Sequence, residues 1–278
     1  MKIAIASGAS SGIGKAAALR LAGKGFQVLA GVRRPSDAAF WKTIPNARAI
    51  QLDVAESASV ESAAKEARSL LQTATEVNLV NNAGIAVAGP IEAVTMSRWH
   101  EQFEVNVFGL VRVTQAFLPF IRTTKGRIVN ISSVSGLATS PYMGPYSASK
   151  YAVEAISDAL RRELRQFGCK VIAIEPGPIA TPIWEKNLAK KEVLLQELPP
   201  ELREAYLREF TKFLNGVQRS ARSAVSVELV SDVIEKALTS PRPRARYMVG
   251  TKSLKAQMII SEILPARWSD ALIAQAFR

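Results

Sequence analysis

The chain is predicted to be an α/β protein, a single doubly wound Rossmann-type domain with a parallel sheet and helices on both faces. Three features predict it: short apolar strands without polar alternation, helical stretches between them, and a glycine turn joining the first strand to the first helix. Strands that alternate apolar with polar residues have one wet face, whereas these do not and call for helices on both sides.

The first strand reads as Lys2 to Ala6. A helix rich in alanine and leucine follows and ends at Gly25, and a second strand runs from Phe26 to Val32, completing a βαβ unit. The alternation continues with strands at Ala47 to Leu52, Val77 to Asn81, Gly126 to Ile131 and Lys170 to Glu175. Helices are expected after Glu56, over Ser97 to Ile121 and over Ser147 to Phe167. After Pro176-Gly-Pro178 the composition changes: residues 183–223 are charged and helical, with Pro199-Pro200 as punctuation, and read as an insertion at the sheet's C-terminal edge. A helix over Val225 to Thr239, a short strand over Arg246 to Val249 and an amphipathic end complete a C-terminal extension at 241–278. No linker divides the chain, so 1–278 is expected to be one domain, a length such folds accommodate.

With 48% hydrophobic and 22% charged residues the chain can bury a large core and is neither disordered nor fibrous. Cys169 is the only cysteine and His100 the only histidine, which leaves no disulfide and no cysteine or histidine cluster for a metal. No stretch reaches the length of a membrane span and no signal sequence opens the chain, so a cytoplasmic protein is expected. The net charge of +12 is spread among acids without an aromatic-interleaved basic stripe, so nucleic acid is not expected as a partner. From Pro241 onward there are seven Lys or Arg and two acids; that end could dock on a membrane surface or on the protein itself, and self-docking is the expectation.

The turn Gly8-Ala-Ser-Ser-Gly12-Ile-Gly14, between strand and helix, lets backbone approach a pyrophosphate whose charge meets the helix N-terminus. Its spacing differs from the commoner G-x-G-x-x-G, and it gains meaning from the strand before it and the helix after it. The second strand ends in Gly31-Val32-Arg33-Arg34. That place meets the adenosine ribose, where an acid selects NAD and an arginine accommodates the added phosphate of NADP. NADP(H) is therefore expected, with NAD(H) a possibility; Arg33 is the better candidate for the phosphate, and Arg34 could simply face water.

Tyr146-Ser-Ala-Ser-Lys150 sets a phenol and an ammonium one helical turn apart, on one face. A cation beside a phenol favours the phenolate, which brings the tyrosine proton closer to use as a general acid-base. Tyr142 and Tyr151 are rival phenols, but neither has a lysine four residues on.

Together with Asn81-Asn-Ala-Gly84, Asn106, Ser133 and Pro176-Gly177 in this order, these residues resemble the short-chain dehydrogenase/reductase family over roughly Lys2 to Trp184. The resemblance implies a catalytic set of Asn106, Ser133, Tyr146 and Lys150. Ser133, thirteen residues before Tyr146, would hydrogen-bond the substrate oxygen while Tyr146 exchanges its proton; Ser132 is its neighbouring rival. Lys150 would lower the tyrosine's pKa and hold the nicotinamide ribose, and Asn106 would position water. For the cofactor it implies Gly8, Ser10, Gly12, Ile13 and Gly14 at the phosphates, Asp53 and Val54 at the adenine, Asn82, Ala83 and Gly84 on the adenosine side, and Pro176, Gly177 and Thr181 near the nicotinamide. Asp53 could otherwise serve as a turn former and Thr181 as a helix cap. Two positions depart from the family pattern: Ser7 stands where threonine is usual, and Val32 where NAD-preferring members often carry aspartate.

The expected activity is hydride transfer interconverting a carbonyl and an alcohol, with the protein orienting the reactants. Leu137, Tyr142 and Met143 could line a lipophilic pocket, and the ending Pro241 to Gly250 resembles the family's steroid- and retinoid-like branch, so a lipophilic substrate is expected. By analogy with the family, the helices containing Asn106 and Tyr146 would pair in a homodimer or homotetramer. Two other classes were weighed. A redox-sensing regulator need not keep Ser133, Tyr146 and Lys150 together, and a sugar-nucleotide epimerase or dehydratase usually has another glycine spacing and a larger substrate domain.

Overall fold

The computed structural model describes residues 1–180, 198–222 and 224–276. Seven strands of these form one sheet, β1 (Lys2–Ala6), β2 (Gln27–Val32), β3 (Ala47–Gln51), β4 (Glu76–Asn81), β5 (Arg127–Ile131), β6 (Lys170–Pro176) and β7 (Arg246–Val249). Their order across the sheet is β3-β2-β1-β4-β5-β6-β7, and every neighbouring pair is parallel. The order reverses at β1 and β4, which is where such sheets open a crevice beyond the strands' C-terminal ends.

Successive strand residues serve opposite layers. Ala4 and Ala6 of β1 pack with Ala17, Ala18 and Leu21 of α1 (Gly12–Gly23) and with Val230 and Ile234 of a later helix, Val227–Thr239. Ile3 and Ile5 pack with Val60, Ala63 and Ala67 of α2 (Ser57–Gln72) and with Val113 and Phe117 of Gly109–Thr123. Both faces of β1 are thus dry, as the parallel strands' lack of polar alternation called for, while the edge strands β3 and β7 expose Arg48, Gln51 and Arg246.

The expected single helix over Ser97 to Ile121 is instead α3 (Met96–Phe103), one π turn (Glu104–Phe108) and α4 (Gly109–Thr123). Gly109 abuts Val54 so closely that a Cβ there would lie 2.8 Å from a Val54 methyl carbon, and the wide turn lets the helix pass while Asn106 points inward. A 3-10 segment, Pro35–Thr43, was not anticipated; Pro35 presets its first turn and it buries Trp41.

Helix α5 (Gly144–Glu163) carries Tyr146 and Lys150 and turns Ser147, Ser149, Glu154 and Ser157 inward beside them. Of the expected insertion at 183–223, the structure describes α6 (Pro200–Arg222), followed by α7 (Val227–Thr239). Past β7 come α8 (Lys252–Ile263) and α9 (Ala266–Ala276). Leu254 of α8 lies against Gly177 and Gly250, where an added Cβ would come within 2.2 Å and 2.7 Å of a Leu254 methyl carbon, so this part of the basic end rests on its own sheet. No helix of the described residues is long and apolar enough to cross a membrane.

Phe117 is wholly buried between β4, β5 and α2, so Phe117→Ala leaves a cavity no neighbour can fill. Denaturant unfolding of that variant is expected to show a loss of about 3–5 kcal/mol.

Candidate active site

All the expected site residues that the structure describes, apart from Asn106 and those on α1 and α5, follow or end strands on one edge of the sheet. At its centre the glycine turn after β1 meets the turn after β4. Gly8 has φ +65, and a Cβ there would fall 2.9 Å from Ala83 Cα; at Gly14 a Cβ would fall 2.3 Å from the Asn82 amide nitrogen. Only glycine permits both the left-handed conformation and the close approach. The Ser7 hydroxyl accepts from the backbone N–H groups of Asn82 (3.0 Å) and Ala83 (3.1 Å), and the Asn82 amide donates to the carbonyls of Ser7 and Gly8. Ser7 retains the one atom of threonine this junction uses, the hydroxyl oxygen.

No side chain caps the N-terminus of α1, although Ser11 occupies its N-cap position, and Ser10 and Ser11 are exposed. The free N–H groups of a helix's first turn suit a phosphate. Gly12 and Ile13, half-buried, complete this turn, and Gly84 follows Ala83 toward Asn106. On these grounds the residues fit a dinucleotide at the crevice.

At the end of β2, Arg33 is exposed and makes no ion pair among the described residues. Arg34 differs: its guanidinium donates to both carboxylate oxygens of Asp37 at 3.2 Å, a partner three residues on. Asp53 has a structural task, accepting from the Ala55 N–H at 3.1 Å while its own N–H bonds Ser59. The turn-forming alternative is therefore realised. Val54 is buried, and its carbonyl accepts from Arg112 at 2.6 Å.

Ser133 follows β5 and Tyr146 lies in the first turn of α5. Their hydroxyls share a hydrogen bond, and Ser133 also donates to the Pro176 carbonyl at 3.4 Å and accepts from the Ser135 N–H at 3.1 Å. Ser132, at the strand end, is buried and its hydroxyl makes no hydrogen bond among the described residues. Tyr151 is bound instead to the Leu137 carbonyl. Lys150 is buried and donates to the Ile131 carbonyl at 2.8 Å, with its ammonium 5.7 Å from the centre of the Tyr146 ring.

The expected lowering of the Tyr146 pKa by Lys150 is not what these contacts produce. Burial pushes the phenol above its ordinary value, opposed only by the Ser133 hydrogen bond. Burial also acts on the lysine and brings it down to about 8, with the Glu154 carboxylate opposing.

Asn106 is fastened at both ends of its amide. It accepts from the Ile85 N–H (2.9 Å) and donates to the Ile85 carbonyl (3.0 Å) and to Ser149 Oγ (3.2 Å). Gln102, unmarked by the sequence reading, does parallel work: it accepts from Val87 N–H at 2.7 Å and donates to Ile85 and Ser149. Ser149 in turn donates to the Tyr146 carbonyl at 2.7 Å. The inward-facing Gln102, spaced one turn before Asn106, was the available signal.

Gly177 hydrogen-bonds the Val249 carbonyl at 2.8 Å, tying Pro176-Gly177 to β7. Thr181 lies outside the described residues. An apolar wall beside Tyr146 is formed by Ala86, Met143 and Leu198 with Phe210, Phe213 and Leu214 of α6. Tyr142, at φ +65, stands 5.1 Å and 5.4 Å from the Phe210 and Phe213 rings. Leu137 is half-buried and does not belong to that cluster.

The short chain dehydrogenase family profile matches residues 2–192. Among curated proteins, an NADPH-dependent 3-dehydrocapnine reductase of Ornithobacterium rhinotracheale is 37% identical, covering 98% of this chain and 96% of its own length. Human retinol dehydrogenase 5 is also 37% identical, covering 96% and 86%. Among solved structures, a short chain dehydrogenase of Burkholderia cenocepacia in complex with NADP superposes with a TM-score of 0.72 at 25% identity over 100% of both chains. One from Burkholderia phymatum in complex with NAD gives 0.77 at 26% identity over 94% and 92%. With the profile match, the relatives along almost its whole length and the superposition in agreement, the chain belongs to the short-chain dehydrogenase/reductase family, in its steroid- and retinoid-like branch, and is an oxidoreductase.

Proposed function

We propose that this protein interconverts a carbonyl and an alcohol on a small lipophilic substrate, using NADP(H), with Tyr146 as the acid-base. The observation that carries the reading is the buried Tyr146 hydroxyl, bonded to Ser133 and set beside both Lys150 and the wall of Met143, Phe210 and Phe213. A site lined this way favours an apolar substrate body with one polar atom to orient.

NADP(H) held at the glycine turn would supply the hydride for the carbonyl carbon. As charge grows on the carbonyl oxygen, the Ser133 hydroxyl donates a hydrogen bond to it and Tyr146 hands it the phenolic proton, giving the alcohol. A phenol kept protonated by burial suits this direction, because the proton is present when the oxygen needs it. Lys150, near 8, carries its charge at neutral pH and compensates the phenolate left behind. Asn106 acts through Ser149 and Ile85, holding the start of α5 in place.

For the cofactor, the free Arg33 beyond β2 and the absence of an acid at Val32 support NADP(H), as do the NADPH-dependent relative and the neighbour holding NADP. Arg34, engaged by Asp37, takes a lesser part. The neighbour holding NAD keeps NAD(H) within reach. Exposed Phe108 at the start of α4 and Tyr151 on α5 support pairing of two or four copies through these helices, and a cytoplasmic location remains the reading of the lone, buried Cys169.

Purified protein given NADPH and a panel of lipophilic ketones and aldehydes is expected to consume the reduced nicotinamide absorbance. Tyr146→Phe should lower turnover by about 10²–10⁴ while still binding NADPH, and an undiminished rate would reject the mechanism. Arg33→Ala should weaken NADPH binding by roughly tenfold or more relative to NADH, measured by fluorescence titration; an unchanged ratio would remove Arg33 from the phosphate site.

A further inference from the structure

Behind the site, on the side of α5 that faces β6 and β7, lies a set of charges that the proposed reaction does not use. Arg246, the first residue of β7, reaches three acids. Its Nε is 3.0 Å from Glu154 Oε2 and 3.4 Å from Glu175 Oε1, and its Nη2 is 2.9 Å from Asp158 Oδ1. Glu154 and Glu175 are almost wholly buried, with side-chain exposures of 9% and 4%. Glu154 stands one helical turn beyond Lys150 on α5, and Glu175 directly precedes Pro176-Gly177.

Resting on the oxidoreductase reading, we propose that Arg246 and Glu154 are positioning residues for Lys150. Arg246 supplies the countercharge to the buried carboxylate of Glu154, and Glu154 supplies the field that keeps Lys150 an ammonium.

The ammonium needs such help. Lys150 sits in a low-dielectric site where, among the described residues, its one hydrogen bond is to the neutral Ile131 carbonyl. Burial drives a lysine toward its neutral form, and an anion within a turn of helix opposes that. Other elements against this face of α5 offer no replacement: α3 and the π turn present the uncharged amides of Gln102 and Asn106. On α5 itself Tyr146 is a buried phenol, and Asp158, farther along, is shared among Arg161, Arg162 and Arg246. On β6, Glu175 is another acid within reach of Arg246. Among the described residues Glu154 is therefore the one carboxylate placed to act on Lys150, and the balance of burial against Glu154 is the one that leaves the lysine at about 8.

A carboxylate buried this deeply requires its own cation. One oxygen of Glu154, Oε1, makes no hydrogen bond among the described residues, so its charge rests on the Arg246 contact at Oε2. Leaving one member of a buried ion pair alone is costly, and the group neutralises instead. Losing Arg246 should then silence Glu154 and, through it, discharge Lys150. The order of effects is unusual in sign: removing a cation from the cluster makes a second cation easier to deprotonate.

The test is a titration of the Lys150 Nζ in the free protein by NMR with 15N-lysine labelling, its signal identified by its loss in Lys150→Arg, alongside the pH profile of NADPH-linked turnover. Glu154→Gln and Arg246→Met should each move the Lys150 titration from about 8 to lower pH, by about one unit. The alkaline limb of turnover should move with it, and Arg246→Lys should restore both. Direct repulsion between Arg246 and Lys150 would instead move the titration up in Arg246→Met, which overturns the proposal. So does an unmoved titration in Glu154→Gln, whatever the change in stability. Should Arg246→Met fail to fold, Glu154→Gln alone decides. Absence of turnover in the wild type with every carbonyl tried counts against the oxidoreductase reading, while the titration still judges the charge relay.

Discussion

Helix α5 buries a polar face, and the need to satisfy each group on it organises the surrounding chain. A buried hydroxyl, ammonium or carboxylate without a partner costs more than most single contacts contribute. Four such residues on α5 each draw a particular element toward the helix: Tyr146 the end of β5 through Ser133, Ser149 the amides of Gln102 and Asn106, Lys150 the Ile131 carbonyl, and Glu154 the last strand through Arg246. Ser157 continues the pattern, accepting from the Asn130 amide at 2.9 Å; Asn130 in turn accepts from Asn81, whose amide also donates to Thr114. The candidate catalytic groups are members of this polar seam, which explains how a reactive tyrosine and lysine can be both buried and fixed.

On the cofactor side a different constraint governs, the closeness of two backbone turns. Gly8 and Gly14 leave no room for side chains, and the Ser7 hydroxyl bridges to Asn82 and Ala83. The turn after β1 and the turn after β4 are thereby one unit. Its position at the reversal of strand order puts the uncapped start of α1 where a phosphate can meet it.

Much of this was legible in the sequence because it is local. Apolar runs and glycine punctuation located all seven strands to within a residue or so, since the inner strands are buried on both faces and carry few polar positions to confuse the pattern. Tyr146, Lys150 and Ser133 were legible by spacing. What escaped depends on contacts distant in sequence. The π turn at Glu104–Phe108 arises where Gly109 meets Val54, and Arg246 reaches Glu154 across 92 positions. The direction of the Tyr146 shift also escaped: spacing shows that a cation is near, but not that the phenol is buried and pushed up by that burial. Reaction class follows from the motif residues, whereas the way α6 lays Phe210 and Phe213 beside Tyr142 is a tertiary matter.

The central claim is that Tyr146 completes a hydride transfer to a carbonyl carbon. The most direct measurement follows deuterium from NADPH labelled at the transferring position of the nicotinamide into product, by mass spectrometry and NMR. The account predicts one deuterium on the new carbinol carbon with the wild-type protein, and almost none over the same interval with Tyr146→Phe. Deuterium released to solvent, or label transferred at the wild-type rate by Tyr146→Phe, would contradict it.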